Sequence, residues 1–550
     1  MNVFTKLQEA FNKFLTEHFF ASISTLNQCQ LVLNADPQRQ AFGDLSSSAP
    51  LILAKECNRL PRDIATECLK QFTHPFIKSI DIAGPGFLNI SLTSQAYVEL
   101  TEELFIQGSD FFKPILSTEK SKISLEFVSA NPTGPLHFGH GRGGIIGDVL
   151  GNVFSFLGHT VVKEFYINDA GSQIDKLAMS LIIRCQQELG IQATLPEDGY
   201  HGDYIKDLAQ ECITQHGISV LRESEEFFKE YAQEHLLANI KHTLTEYGIT
   251  FDNFFSEKTL HRNNAIEHVI NLLISKQLVY KSEGALWFAS TKFGDDKDRV
   301  VKKATGEWTY VAADIAYLKN KIDRGFTHVI MILGHDHHSY AARLHAVCNA
   351  LDIQVPLDVI LYQLVKIKDS GKEIRMSKRR GTMIYLEDII QTAGKDVARF
   401  FYLHRKADAQ LDFDIDLALK KTEENPVYYI QYAYVRINSI LNHATNLMPD
   451  SVDINENDAR YLTTDEHQLL KKIVSLKPLL ESIIQNYQTH TLTYYLVELA
   501  QNFHMYYGNT KIIDVNNPMQ TKARLLVLYI LKHTLNIGLG LMGISKPEIM

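Results

Sequence analysis

Apolar positions recur every three to four residues in VFTKLQEAFNKFLTEHFF near the start of the chain, the period of an amphipathic helix with a charged outer face. The stretch AGPGFLNISL breaks that period and predicts a turn followed by a strand. From Ser121 the texture changes again. KISLEFVS reads as a strand, a glycine-rich segment follows, GGIIGDVLGNVFSFLG has a helical pattern, and TVVKEFYI is a second strand. Strand, loop, helix and strand in that order make a βαβ unit, which implies a parallel sheet. Residues from about 190 to 300 read as helical and charged, HLLANIKHTLTEYGI most clearly, and are expected to interrupt the sheet domain. Sheet texture returns at THVIMILG and VPLDVILYQLVKI. From about residue 411 the patterns are helical, as in LVELAQNFHMYY and ARLLVLYILKHTLNIGLGLM.

The architecture predicted is multidomain α/β. An α+β N-terminal domain covers 1–115, and a Rossmann-like parallel-sheet domain covers 116–410 with a helical insertion at about 190–300. An all-α domain takes 411–550. No internal repeat or low-complexity tract interrupts this layout.

At 550 residues, 45% hydrophobic and 22% charged, the chain can build several cores, and collagen-like or mostly disordered classes are excluded. Its 55 Lys+Arg against 64 Asp+Glu give a net charge of −9, which argues against coating nucleic acid with the whole surface but permits a local basic patch. Six scattered cysteines (Cys29, Cys57, Cys68, Cys185, Cys212, Cys348) form no CxxC pair, so reduced thiols in a cytoplasmic protein are expected, without structural zinc. The N-terminal helix pattern lacks the unbroken apolar segment of a secretory signal. The apolar run Leu525 to Leu531 is far short of the ~18 residues that suggest a membrane span, so no membrane contact is expected.

The densest chemistry lies in Ala130 to Gly144, ANPTGPLHFGHGRGG, between a strand and a helix at the carboxyl edge where parallel sheets bind ligands. A helix N-terminus there suits phosphate, and Gly134, Gly139 and Gly141 permit close approach of a base or phosphate to the backbone. His137 and His140, three apart, can both face one ligand, and imidazole N–H groups stabilise charge on a transferring phosphoryl group. The segment is not a P-loop. Gly139-x-Gly141-x-x-Gly144, with Glu164 following near the end of the next strand, formally resembles a dinucleotide fingerprint. Its first glycine, however, lies some ten residues too far from the strand. A glycine-rich turn with buried histidines explains any one of these features equally well.

A second basic element follows. KIKDSGKEIRMSKRR, Lys366 to Arg380, holds seven Lys+Arg and two acids, a local excess of +5, with Gly371 and Gly381 flanking a hinge-like element. Arg375 and Lys378 could neutralise a departing pyrophosphate, although an isolated basic loop would more simply be a solvated turn.

His137-Phe138-Gly139-His140 resembles the HIGH signature of class I aminoacyl-tRNA synthetases, and Arg375-Met376-Ser377-Lys378 resembles their KMSKS loop, here at 375–379. Phe138 replaces the usual aliphatic residue and Arg375 the first lysine. The string EFVSANPTGPLHFGHGRG is similar to arginyl-tRNA synthetases in particular, and NPVYYIQYAYVR to the start of that family's helical anticodon-binding domain, so the resemblance runs over essentially the whole chain. It implies an arginine–tRNA ligase that makes arginyl-adenylate from L-arginine and ATP, with Mg²⁺, and transfers arginine to tRNA(Arg).

On that resemblance His137, His140, Arg375 and Lys378 are catalytic. ATP is bound by Pro132, Thr133, Gly134, Pro135, Leu136, Phe138, Gly139, Gly141, Met376 and Ser377. Arginine is met by Glu126, Ala130, Asn131, Tyr310, Asp314, His335 and His338. Tyr310 and Asp314 fall one helical turn apart on one face. Read without the resemblance, Asp314 serves equally well as a helix cap and Tyr310 as a core aromatic. The loop His335-Asp336-His337-His338 invites a metal reading, but adjacent residues rarely aim at one ion, and no metal ligand is assigned.

Residues 411–550 carry 12 Lys+Arg against 15 Asp+Glu, so bulk charge does not announce RNA there. The interleaved Tyr428, Tyr429, Tyr432 and Tyr434, with Arg436, could stack on unpaired bases, though a tyrosine-rich helix is more often core. The resemblance moves Tyr432 and Arg436 to anticodon contacts, gives the N-terminal domain another part of the tRNA, and leaves a monomer as the expected state.

Overall fold

The computed structural model describes residues 2–35, 42–114, 120–373, 384–449 and 453–550. Five strands form one parallel sheet: β1 (Lys122–Glu126), β2 (Thr160–Ile167), β3 (Asn253–Ser256), β4 (His328–Gly334) and β5 (Leu357–Tyr362). Their spatial order is β5-β4-β1-β2-β3, with every pairing parallel. The order reverses between β1 and β4, and the carboxyl ends of those neighbours open the crevice where such sheets bind ligands. Ile123, Ser124, Leu125 and Glu126 are all buried, as expected for a parallel strand covered on both faces.

Helix α1 (His140–Phe156) follows β1. Two of its glycines are there for packing. A Cβ on Gly147 would lie 2.3 Å from the Phe127 ring, and one on Gly151 would lie 2.6 Å from the Lys163 side chain, so glycine lets the helix press onto the sheet. Asp148, between them, is buried and pairs with Lys163 at 2.6 Å.

Helices α2 (Ser172–Glu188), α3 (Asp203–His216) and α4 (Glu225–Glu246) form a small bundle with its own core of Leu177, Leu181, Ile205 and Phe228. The helical insertion expected at about 190–300 therefore starts earlier, and β3 closes it by joining the main sheet. Residues 257–302 add two further helices and an antiparallel sheet of Val279–Ser282, Ala285–Phe288 and Arg299–Lys302. Four-residue strands such as VYKS and RVVK carry too little alternation to stand out from charged helical text. Helix α5 (Tyr310–Asp323) then leads into β4.

The N-terminal domain packs its first helix, Val3–Phe19, through Leu7, Phe11, Phe14 and Leu15 against a four-stranded sheet. The turn-then-strand reading of AGPGFLNISL is the hairpin joining Ile77–Ala83 to Phe87–Leu92. Past the sheet domain come α6 (Leu386–Ala393) and α7 (Lys395–Leu403), then a helical domain that includes α8 (Pro426–Leu447), α9 (His490–Asn509) and α10 (Pro518–Leu541). By length and composition α10 could cross a membrane, contrary to the reading from its short apolar run, but 72% of its apolar window is buried inside the protein. Leu525, Leu526, Leu528, Leu531 and Leu535 make it a core helix. All six cysteines are free thiols.

Candidate active site

The chain leaves β1 through Val128 and Ser129, both with positive φ (66° and 42°), which turns it sharply off the sheet edge. Ser129 Oγ secures the turn: it donates to Glu126 Oε1 at 3.1 Å and accepts the Tyr166 backbone N–H at 3.0 Å. Leu136 and Phe138 plug into the core, and the segment after the basic loop zips onto them. Leu386 N–H donates to the Leu136 carbonyl at 2.8 Å, and Phe138 N–H to the Ile384 carbonyl at 3.2 Å. His137 and His140 project from this anchored turn half-buried, with ring centroids 5.9 Å apart and planes crossed at 80°. Each Nδ1 accepts a backbone N–H, His140 from His137 at 3.1 Å and His137 from Gly139 at 3.0 Å. A neutral ring so held carries its hydrogen on Nε2.

The residues expected to meet ATP divide into two groups. Thr133, Gly134, Pro135 and Gly139 are partly exposed, whereas the side chains of Pro132, Leu136 and Phe138 lie in the core. Tyr204 of the insertion covers the loop. Its hydroxyl donates to the Thr133 carbonyl at 2.8 Å, and its ring lies 3.1 Å from where a Cβ on Gly134 would be. Gly141 departs from its expected part: a Cβ there would be 2.6 Å from Leu386 and 2.9 Å from Tyr402, so this glycine admits protein side chains instead of a phosphate. Arg375, Met376, Ser377 and Lys378 lie outside the described residues. Two other cations of that segment are held in surface ion pairs, Lys366 with Glu373 at 2.9 Å and Lys368 with Asp412 at 2.7 Å.

A group of carboxylates lies at the same sheet edge. Glu126, 4% exposed, faces Lys321 at 3.2 Å. Tyr310 and Asp314 both sit on α5, Tyr310 at its first residue and 52% exposed. Burial pushes the Asp314 carboxyl up to about 7, against the downward pull of a Tyr340 hydrogen bond and Arg343, and Glu257 and Glu126 add to the rise. Glu257, buried directly after β3, was missed by sequence reasoning. Its carboxyl is raised by burial, and Tyr166 donates to it at 2.8 Å. Asking which acid follows each strand would have found it, had the four residues of β3 been legible as a strand. Asn131 is exposed and donates to Gln173 at 2.9 Å, and Ala130 beside it is partly buried. His335 lies on the short turn after β4, and His338 opens the helix His338–Ala350. Among the described residues no three His, Cys, Asp or Glu are grouped to hold a metal ion.

Glu164 corrects the dinucleotide alternative. It sits in register beside Glu126, fully buried, and takes Lys321 at 2.7 Å, Arg324 at 2.5 and 2.8 Å and the Tyr317 hydroxyl at 2.6 Å. Against the upward push of burial, these hydrogen bonds hold its carboxyl well below the usual range. A carboxylate so occupied is a structural counter-ion.

Comparison with known proteins decides among the remaining readings. Residues 102–410 match the family pattern for tRNA synthetases class I (R), catalytic domain. Residues 5–92 match the arginyl tRNA synthetase N terminal domain, and 430–550 the DALR anticodon binding domain. The arginine–tRNA ligase of Geobacter sp. (strain M21) is 39% identical over 94% of both chains, and that of Bacillus subtilis (strain 168) is 37% identical over 96% of both. This chain belongs to the arginyl-tRNA synthetase family. The solved structure of Thermus thermophilus arginyl-tRNA synthetase, at 20% identity, shares the fold over the full length of both chains with a TM-score of 0.75.

In this synthetase the helical domain presents aromatic faces on α8. Tyr432, 37% exposed, stacks on Tyr428 (6.5 Å, 5°) and on His504 of α9 (5.7 Å, 22°). Four residues on, Arg436 donates to the Tyr507 hydroxyl at 2.5 Å and lies 4.8 Å from that ring's centroid. Beside them opens a groove of about 550 Å³ lined by Arg436, His443, Tyr507 and Lys511, where the synthetase combines cations with an aromatic face. Tyr429 and Tyr434 are partly buried.

Proposed function

We propose that this chain is an arginine–tRNA ligase, which activates L-arginine with ATP and esterifies it to the terminal ribose of tRNA(Arg). The observation that carries the substrate is the carboxylate group at the crevice. A half-buried acid raised to about 7 beside Glu257 and Glu126 is relieved by a cation or a proton, and a planar guanidinium supplies the cation together with forked donors. Asp314 and Glu257, oriented by Tyr340 and Tyr166, take the guanidinium, with Tyr310 at the rim. Glu126, Asn131 and Ala130, next to the histidine loop, take the amino-acid end. His335 and His338 flank the same edge.

The arginine carboxylate attacks the ATP α-phosphorus, the bond to the β-phosphate breaks, and pyrophosphate leaves. His137 and His140 donate from Nε2 to phosphoryl oxygens as charge builds, supported by Thr133, Gly134, Pro135 and Gly139 of the loop. Pro132, Leu136 and Phe138 act by anchoring the loop in the core, and Gly141 by seating the helix. Arg375 and Lys378, with Met376 and Ser377, take the leaving pyrophosphate, and Mg²⁺ arrives with ATP as its counter-ion. The terminal ribose hydroxyl of tRNA then attacks the adenylate carbonyl and AMP leaves. Alignment and fixed charge do this work without a side-chain nucleophile. Tyr432 and Arg436 stack on anticodon bases.

Aminoacylation of a total tRNA pool with each amino acid in turn tests the reading. Arginine alone should be charged. If another amino acid is charged in its place, the substrate assignment falls while the class of reaction stands.

A further inference from the structure

Helix α7 stands between the helical domain and the histidine loop, and three of its polar side chains, three residues apart, each grip a different part of the protein. Asp396 accepts from the Ser545 backbone N–H at 2.9 Å, from the Ser545 hydroxyl, and from the Gln431 side chain at 2.9 Å, all in the helical domain. Arg399, fully buried, donates to the carbonyls of Met542 at 2.5 Å and Tyr247 at 2.8 Å and to Asp148 of α1 at 2.5 Å. Tyr402, also fully buried, donates its hydroxyl to the carbonyl of Phe138, inside the histidine motif, at 2.8 Å. At 1.5 Å per residue this chain of contacts advances about 9 Å along one rigid helix.

Two glycines make room for it. A Cβ on Gly543 would lie 2.5 Å from the Arg399 guanidinium, and one on Gly141 would lie 2.9 Å from the Tyr402 ring. The Phe138 carbonyl that Tyr402 holds also accepts the Gly141 N–H at 3.1 Å, in the same turn where the His137 carbonyl accepts the His140 N–H at 2.9 Å. The turn that sets both imidazoles is therefore pinned from behind by α7. Packing alone would not require a hydroxyl there, because a phenylalanine ring fills the same volume. The hydrogen bond adds a defined position for the carbonyl.

We propose that Tyr402 is a positioning residue for the adenylation step, and that α7 couples the seating of the helical domain at Asp396 to the placement of His137 and His140. The kinetic part rests on the reading of this chain as an arginine–tRNA ligase.

The test uses Tyr402→Phe and Asp396→Asn in the full-length chain. Tyr402→Phe should lower kcat for arginine charging about tenfold, as a small misplacement of catalytic groups does, while KM for arginine stays within about twofold. A merely structural role would instead lower the melting temperature and shift the KM values together. Asp396→Asn should speed amide exchange in the peptide 136–141, a measurement that needs no catalysis. An unchanged kcat in Tyr402→Phe overturns the positioning role, and unchanged exchange in Asp396→Asn overturns the coupling. If Tyr402→Phe does not fold, the exchange of Asp396→Asn decides. If the wild type charges no arginine, the functional reading fails by itself and the exchange result still judges the coupling.

Discussion

The Nδ1 of His140 accepts the backbone N–H of His137 at 3.1 Å, so the loop's own main chain chooses the tautomer of its second histidine. On the proposed mechanism, His140→Ala removes a positioned donor to the phosphoryl group. It should cut kcat by about 10²–10³, the cost of losing one such donor, with arginine affinity little changed. Steady-state charging assays and equilibrium arginine binding check the two halves. Equal losses in both would reassign the histidine to substrate binding.

Asp314 gives the proposed arginine site a pH dependence of predictable sign. Its carboxyl, raised to about 7 in the free protein, must be ionised to hold a guanidinium. Arginine affinity should therefore rise about tenfold from pH 6 to pH 8, and binding at pH 6 should release a proton. Calorimetry in buffers of different ionisation heat measures both. Because the folded state holds that proton more tightly than the unfolded chain, Asp314 lowers stability as pH rises from the ordinary carboxylate range through 7. Asp314→Asn should accordingly be more stable than wild type at pH 8 while losing arginine.

Glu164 works in the opposite direction. Its folded-state carboxyl is depressed, so its contribution is complete above the ordinary glutamate range and is lost as pH falls below it. Glu164→Gln leaves Lys321 and Arg324 without their shared counter-ion and should cost about 3–5 kcal/mol at neutral pH, with a shallower acid transition. Urea unfolding at pH 7 and pH 4 provides the comparison. A variant as stable as wild type at pH 7 would contradict the role.

Tyr432→Ala should weaken tRNA binding by about 1–3 kcal/mol, the range for loss of one base stack. Binding of arginine and ATP should be unaffected. Filter binding with tRNA(Arg) and with a tRNA altered only in its anticodon separates base stacking from a general loss of affinity: the variant should discriminate less between the two.

The sequence made the broad layers legible because their signals are local. The alternation of KISLEFVS and TVVKEFYI, and the helical period after residue 411, each survive in a short window. The histidine loop was legible for the same reason. What escaped was set by distant neighbours. Gly141 read as part of a glycine-rich phosphate segment, yet it makes room for Tyr402, and Gly147 and Gly151 in the helix that follows make room for Phe127 and Lys163. Glu164 fell at a spacing that formally resembles a dinucleotide fingerprint, and only the approach of Lys321 and Arg324 from α5 and the turn after it shows what it holds. Glu257 was invisible because β3 is four residues long and borrows its stability from β2.

The contact of Tyr204 with Thr133 has a consequence for anyone trimming this protein. The three-helix insertion looks like an appendage that a minimal catalytic fragment could shed, since it has a core of its own. Excising it would strip the Tyr204 lid from the histidine loop and unseat Tyr247, the residue directly after α4, whose hydroxyl donates to the Leu386 carbonyl at 2.9 Å. It would also leave the Arg399 guanidinium short of one acceptor deep in the interior. The smallest active version of this chain must keep the bundle, and shortening is better attempted at its far tip, around the turn at Gly217, where nothing stands within 4 Å of the glycine's Cβ position.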